Sequence, residues 1–478
     1  MVIPAPRPHW ALGVAVGAFV FCVTVATSAK VLRSQDLYLH ISTGRWIIAN
    51  GAVPDRGIFS ASMPDAPWVA HEWLAGIVWA LVYDNLGWGG IAAMIAIFLA
   101  IAVGLLALDT ARTLGPAGAV AAAVLGWGLS LNHAVARPHM AALPLLVIWM
   151  VAHVRARQRN GTPSLFLPLA MILWANLHGS FMLGLVFTGL FAAEAVFEAE
   201  TRRQAWTAVR SWALFLGAAV VAAAVTPHGP RGLLFPFELL SMSAATQGIY
   251  EWEASSLTNN APLILWCFLL GFVCLLYGVK LPLTRLAMAM LLLYMAVAHR
   301  RHSELLGLAA PILLQHALAD NLPAGSAFAA RWGPLSRPAV RTTLAAASVA
   351  IAGLAAWVFC RDVVRGPDQY TPAAALAAVE ARGIRGRVLN AQNFGGYMIF
   401  RGYTPFIDGR VDMYGNEFMT RYVALDQLTG LLEQYRIEWT IFEPWNPRSL
   451  LMDNLPGWSR VYADDTAIVH LRREASSR

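Results

Sequence analysis

The chain is divided into apolar runs of membrane length, and no other feature limits its architecture as strongly. Such runs lie near residues 10–29, 88–109, 116–132, 141–155, 163–176, 180–198, 211–226, 261–278, 284–298, 303–318 and 342–360. A hydrocarbon core about 30 Å thick calls for about 20 predominantly apolar residues per helix. The pattern therefore predicts a polytopic α-helical membrane protein with about eleven transmembrane helices. Composition agrees, because only 13% of residues are charged and 58% are hydrophobic, whereas soluble domains carry about a quarter charged residues. The first run is too long for a secretory signal and no polar mature domain follows it, so it is expected to stay as an anchor.

Charge sets the expected orientation. If the N-terminus is cytoplasmic, the inner connections hold Arg155, Arg157, Arg159, Arg202, Arg203, Arg210, Lys280, Arg285, Arg331, Arg337 and Arg341. The excess of basic residues on cytoplasmic loops favours that choice. A net charge of +7 is then a record of topology, and nucleic acid is not an expected partner. The cysteines Cys22, Cys267, Cys274 and Cys360 sit in apolar runs without paired spacing, which points to neither a disulfide framework nor a thiolate metal site.

The same orientation gathers His40, His71, His133, His139, His178, His228, His299 and His302 at the outer ends of spans. Composition changes near Arg361. From there to Arg478, short β-type runs (RVLNA, TPFIDGR, WTIFEP, TAIVHL) alternate with helical ones (PAAALAAVEARG, ALDQLTGLLEQY), the pattern of a small α/β domain. The predicted division is a transmembrane domain over 1–360, with its first outer loop at 31–73, and an extracytoplasmic α/β domain over 361–478. An odd number of spans places that tail outside.

The first outer loop reads as two amphipathic, interfacial pieces, LYLHISTGRWIIANG and HEWLAGIVWALVYDNLGW. Asp36 and His40 stand one helical turn apart, hence on one face, and His71 and Glu72 open the second piece. A helix cap explains Asp36 as an isolated residue, but ionisable groups close to a bilayer tend to serve a site. Later outer connections add Arg137, His139, His178, His228, Glu251, Glu253, Arg300, Arg301 and His302. Guanidinium offers phosphate a rigid donor fork; interfacial snorkelling and structural capping are the competing explanations. No HExxH, HxH or GxSxG spacing occurs. No metal ligands are assigned, although separate loops could still assemble a site for a divalent cation (Mg or Mn). NFGGY at Asn393–Tyr397 reads as a turn, and a turn between strands accounts for Asp408 and Asp412 as well as a ligand does.

One span, a long outer loop with an acid soon after it (Asp36), interfacial helices and a His-x-x-Leu entry (His71 to Leu74) together resemble the GT-C superfamily of membrane glycosyltransferases. The likeness is best over residues 1 to about 130. The tail, with FGGYMIFRGYTPFIDGRVDMYG, is similar to that of bacterial membrane proteins bearing GGYL and FIDGR.D.Y motifs. Many members of the superfamily have adjacent acids after the first span and a His-Pro-Pro, whereas Asp36 is followed by Leu37 and those prolines are absent here.

The resemblance implies an enzyme of the bacterial inner (plasma) membrane. It would move a sugar from a polyprenyl-phosphate donor to a glycan, lipid or protein acceptor at the outer face. It also implies Asp36 as base, with His40, His71 and Glu72 around it. Arg137, Arg300 and Arg301 would take the donor phosphate, helped by His139 and His302. His178, His228, Glu251 and Glu253 are further cavity candidates. The rival readings are a ligase or transporter of lipid-linked glycans and a non-catalytic envelope assembly factor.

Overall fold

A computed structural model describes residues 10–242, 253–321 and 337–473. Each of the eleven apolar runs is helical. Helices Trp73–Ser130, His139–Gln158, Arg202–Ala223 and Pro338–Cys360 are long and apolar enough to cross a membrane, and five shorter apolar helices accompany them among the described residues. The chain is thus a multi-pass helical membrane protein with a small sheet domain. Runs and crossings do not correspond one to one. Pro168–Leu177 has only 10 residues, about 15 Å of rise, half of what a hydrocarbon core demands. The 58-residue helix Trp73–Ser130 is interrupted by Gly87 at φ 61° and Gly115 at φ 73°, left-handed positions that glycine tolerates. Those breaks separate the second amphipathic piece from the two apolar runs that follow it.

The chain forms two compact units, and they do not follow the expected boundary. One comprises Met1–Val31, Gly89–Leu233 and Gly248–Val363; the other comprises Leu32–Trp88, Leu234–Gln247 and Val364–Arg478. The first outer loop, expected with the spans, belongs with the tail. The reason is a shared core: Tyr38, Trp68 and Ala70 are buried in one hydrophobic cluster with Phe394, Tyr397, Met413 and Tyr414.

In the first unit, small residues let helices approach closely. A Cβ at Gly13 or Gly17 would come within 2.9 Å of the carbonyl oxygens of Gly104 and Ala100. Helix Trp10–Ala26 also packs on Pro338–Cys360, with Phe21 and Val25 against Ala352, Ala355 and Ala356. Buried carboxylates tie other helices together. Arg155 Nε donates to Asp109 at 3.0 Å and Gln315 Nε2 to its other oxygen at 2.8 Å. Arg157 Nε and Arg285 Nη2 donate to Glu194 at 3.3 and 2.8 Å.

In the second unit a four-stranded sheet has the order β1-β2-β4-β3, with β1 (Val388–Asn390) parallel to β2 (Trp439–Phe442). β4 (Ile468–Arg472) runs antiparallel to both β2 and β3 (Trp458–Ala463). Two sequence expectations fail here. TPFIDGR is not a strand, because side chains take its backbone groups: Asn390 Oδ1 accepts from Phe406 N at 2.8 Å, Asn390 Nδ2 donates to the Ile407 carbonyl at 2.8 Å, and Ser62 Oγ donates to the Phe406 carbonyl at 2.5 Å. NFGGY is not a turn but lies in the helix Gln392–Phe400. Its glycines serve close packing: a Cβ at Gly395 would collide with the Ile407 carbonyl, and one at Gly396 would stand 2.8 Å from the Gln35 carbonyl. That helix therefore seats directly on the start of Leu37–Asn50.

Candidate functional site

Asp36 is the N-cap residue of helix Leu37–Asn50, and its carbonyl accepts from His40 N at 2.9 Å. Its carboxylate makes no capping hydrogen bond, so the capping explanation does not account for the side chain. The tail reaches it instead. Gly409, from the segment IDGRVDMYG, lies so close that a Cβ there would collide with Asp36 Oδ1.

Three other expected residues are grouped in the same unit. Glu72 lies between two imidazoles, 3.7 Å from His40 Nε2 and 3.7 Å from His71 Nε2. His71 Nδ1 is 3.3 Å from the Val69 carbonyl and donates to it, so Nε2 offers a proton to Glu72 only in the imidazolium form. The His71 ring also lies against Phe235, with centroids 4.7 Å apart. His40, His71 and Glu72 thus form one cluster.

The tail adds charged groups that sequence reasoning treated as turn chemistry or passed over. Asp408 and Arg410, 0% and 3% exposed, form a two-pronged ion pair, Nε to Oδ1 at 2.8 Å and Nη2 to Oδ2 at 2.6 Å. Tyr414 OH donates to Asp408 at 3.1 Å. The guanidinium packs on Trp68 and Phe59, 4.8 and 5.5 Å from their ring centroids. Asp412 follows, and burial raises its carboxyl above the ordinary carboxylate range while His71 draws it back. The available signal was the D-G-R-x-D spacing, which places three charged groups within five residues of a segment that also carries the glycine against Asp36.

The cationic candidates belong to the first unit. Arg137 precedes helix His139–Gln158, its N–H donating to the Val135 carbonyl at 2.7 Å. His139 Nε2 is 3.0 Å from the His133 carbonyl and 3.9 Å from Glu304, and its ring centroid is 6.1 Å from that of His178. Arg300, Arg301 and His302 form a 3-10 turn. Arg300 is buried, and its N–H donates to the Glu253 carbonyl at 3.1 Å. Burial, then Arg301 and His299, push the His302 imidazole down to about 3, so it is neutral at neutral pH and offers a hydrogen bond rather than a charge. Arg300, Arg301 and His302 thus share one connection, which a backbone hydrogen bond ties to Glu253 in another, and His139 and His178 form a further pair. His228 lies in the turn before helix Pro230–Ser241. Glu251 lies outside the described residues. No group of three or more His, Cys, Asp or Glu among the described residues is arranged to hold a metal ion.

No protein-family model matches the chain, and no curated protein matches it either. Solved structures do. The archaeal oligosaccharyltransferase AglB from Archaeoglobus fulgidus, in complex with an inhibitory peptide and a dolichol-phosphate, is similar at a TM-score of 0.56 and 13% identity, over 89% of this chain and 69% of that one. ArnT from Cupriavidus metallidurans, bound to undecaprenyl phosphate, is similar at a TM-score of 0.51 and 13% identity, over 97% of this chain and 98% of that one. The apo oligosaccharyltransferase of Archaeoglobus fulgidus gives 0.55 at 14% identity, over 91% and 70%. The chain therefore has the fold of the GT-C membrane glycosyltransferases.

Proposed function

We propose that this protein is a membrane glycosyltransferase. It moves a sugar from a polyprenyl-phosphate donor to a glycan, lipid or protein acceptor at the outer face of the membrane. The observation that carries the reading is the likeness to undecaprenyl-phosphate-bound ArnT along 97% of this chain and 98% of that one. Supporting it is Asp36, an acid directly after the first span whose carboxylate is not used to cap its own helix.

The chemistry asks for three groups: a base for the acceptor, charge stabilisation for the leaving phosphate, and walls that exclude water. The Asp36 carboxylate takes the proton of the acceptor hydroxyl as that oxygen forms a bond to the anomeric carbon. The bond from that carbon to the phosphate oxygen breaks, its electron pair leaves as polyprenyl phosphate, and the anomeric centre inverts. Asp36 then returns the proton to water. Arg137, Arg300 and Arg301 neutralise the leaving phosphate, with His139 and His302 supplying hydrogen bonds. Glu72, held between His40 and His71, orients the acceptor. Every step is assigned to side chains of this chain.

Purified protein in lipid vesicles, incubated with labelled polyprenyl-phosphate sugars and membrane lipid extract, tests the reading. Transfer predicts that label enters an acceptor and that free polyprenyl phosphate appears in equal amount. Neither product would appear if the protein were an assembly factor.

A further inference from the structure

The segment Asp408–Tyr414 contains buried polar capacity that the reaction described above does not use. Arg410 spends Nε and Nη2 on Asp408, yet its Nη1 is buried and meets no hydrogen-bond partner among the described residues. Asp412 Oδ2 is likewise buried with no hydrogen-bond partner among the described residues. The two side chains influence each other electrostatically, and His71 acts on Asp412. One unused donor and one unused acceptor therefore stand two residues apart. Buried polar atoms are normally paired, so two orphans in one place call for a ligand or ordered water. The surrounding segment is rigid: Asp408 fixes Arg410 from both sides of its fork, Trp68 and Phe59 back the guanidinium, and a Cβ at Gly57 would stand 2.8 Å from Met413 Sδ. Gly409, between Asp408 and Arg410, is the residue packed against Asp36.

We propose that Arg410 Nη1 and Asp412 Oδ2 form a carbohydrate subsite, which takes two neighbouring hydroxyls of a sugar ring. A vicinal diol complements this pair: one oxygen accepts from the guanidinium while the other hydroxyl donates to the carboxyl. The aromatic lining and the short, braced segment suit a neutral ring better than a second anion, because Asp408 already satisfies the guanidinium's charge. A free inorganic phosphate would bring a further anionic charge beside Asp408 and Asp412, which a neutral sugar ring does not. The inference deepens the glycosyltransferase reading, since either the donor's sugar or the acceptor's sugar could be the one recognised.

Saturation-transfer NMR on the full chain in nanodiscs tests it, with methyl glycosides of glucose, galactose and mannose as probes. The wild type is expected to transfer saturation to at least one glycoside. Asp412→Ala should reduce that signal at least about five-fold. Arg410→Lys keeps the charge opposite Asp408 but removes the free guanidinium nitrogen, and should give the same loss if Asp412→Ala fails to fold. Suppression by a polyprenyl-phosphate hexose, but not by undecaprenyl phosphate, assigns the subsite to the donor's sugar. Persistence assigns it to the acceptor's. Absence of signal in the wild type, or equal signals in wild type and both subsite variants, overturns the subsite. Label transfer in the vesicle assay would survive that result, so the two failures are distinguishable.

Discussion

Two regions of this protein bury charge, and they do so differently. In the first unit, Asp109 and Glu194 sit among helices with Arg155, Arg157, Arg285 and Gln315 all directed at them; Glu194 Oε2 faces Arg285 at 2.6 Å, and the atom left over without a hydrogen-bond partner among the described residues is an amide oxygen, Gln315 Oε1. In the second, Arg410 and Asp412 each keep a buried polar atom with no hydrogen-bond partner among the described residues, beside the glycine that presses on Asp36. Burial of an ionisable group is common to both, so burial alone does not mark a site. A single orphan atom does not mark one either; the second region differs in holding an unused donor and an unused acceptor two residues apart, and leaving both unmet costs stability.

Glu194→Ala takes from Arg285 its carboxylate partner and leaves Arg157 with Glu198 alone, and loss of one partner of a buried pair costs about 3–5 kcal/mol. A large fall in the thermal midpoint with specific activity of the folded fraction retained is expected. An activity loss at unchanged stability would move this network into the site. Gly409→Ala should behave oppositely. Its Cβ meets the far end of the Asp36 side chain, which can swing away at little cost in stability. Displacing a reacting group by about 1 Å can cost about 10²-fold in rate, so turnover should fall while the melting curve stays near wild type. Arg301→Ala should weaken undecaprenyl phosphate binding by about ten-fold, the worth of one charge-assisted hydrogen bond. Equilibrium binding to nanodiscs reads that value directly.

The smallest expected effect is one of pH. Burial raises the Asp412 carboxyl above its ordinary range, so the folded state favours the protonated acid more than the unfolded chain does. The stability this contributes is present below the unfolded carboxylate range, about pH 3.9, and is lost as pH rises through the folded value. Asp412→Asn, which cannot ionise, should therefore be slightly more stable than wild type at neutral pH, and the difference should shrink on acidification. A variant less stable than wild type at both ends of the range would make Asp412 an ordinary structural residue.

Much of the fold was legible because membrane spans write themselves in sequence as long apolar runs, and every such run is helical. Crossing lengths were less legible: Pro168–Leu177 is apolar but short, and the glycine breaks at Gly87 and Gly115 decide where the long helix divides. The grouping of units was hidden, since the contact of Tyr38 and Trp68 with the tail core joins residues more than 300 positions apart in sequence. Local propensity misread TPFIDGR and NFGGY for the same reason. Asn390 and Ser62 replace the strand ladder in one, and helix-on-helix contact accounts for the glycines in the other. Asp36, His40, His71 and Glu72 were legible as ionisable groups just outside an anchor. Arg410 and Gly409 were not, because what distinguishes them is an empty hydrogen-bonding position and a missing Cβ, neither of which has a periodic signature.

The role proposed for Asp36 is that of base in a sugar transfer from a polyprenyl-phosphate donor. Its most direct test is single-turnover transfer by wild type and Asp36→Asn, with undecaprenyl phosphate binding measured on the same preparations. A rate lowered by about 10²- to 10⁴-fold, the worth of a general base, is expected, with binding unchanged. Equal rates for the two proteins would contradict it.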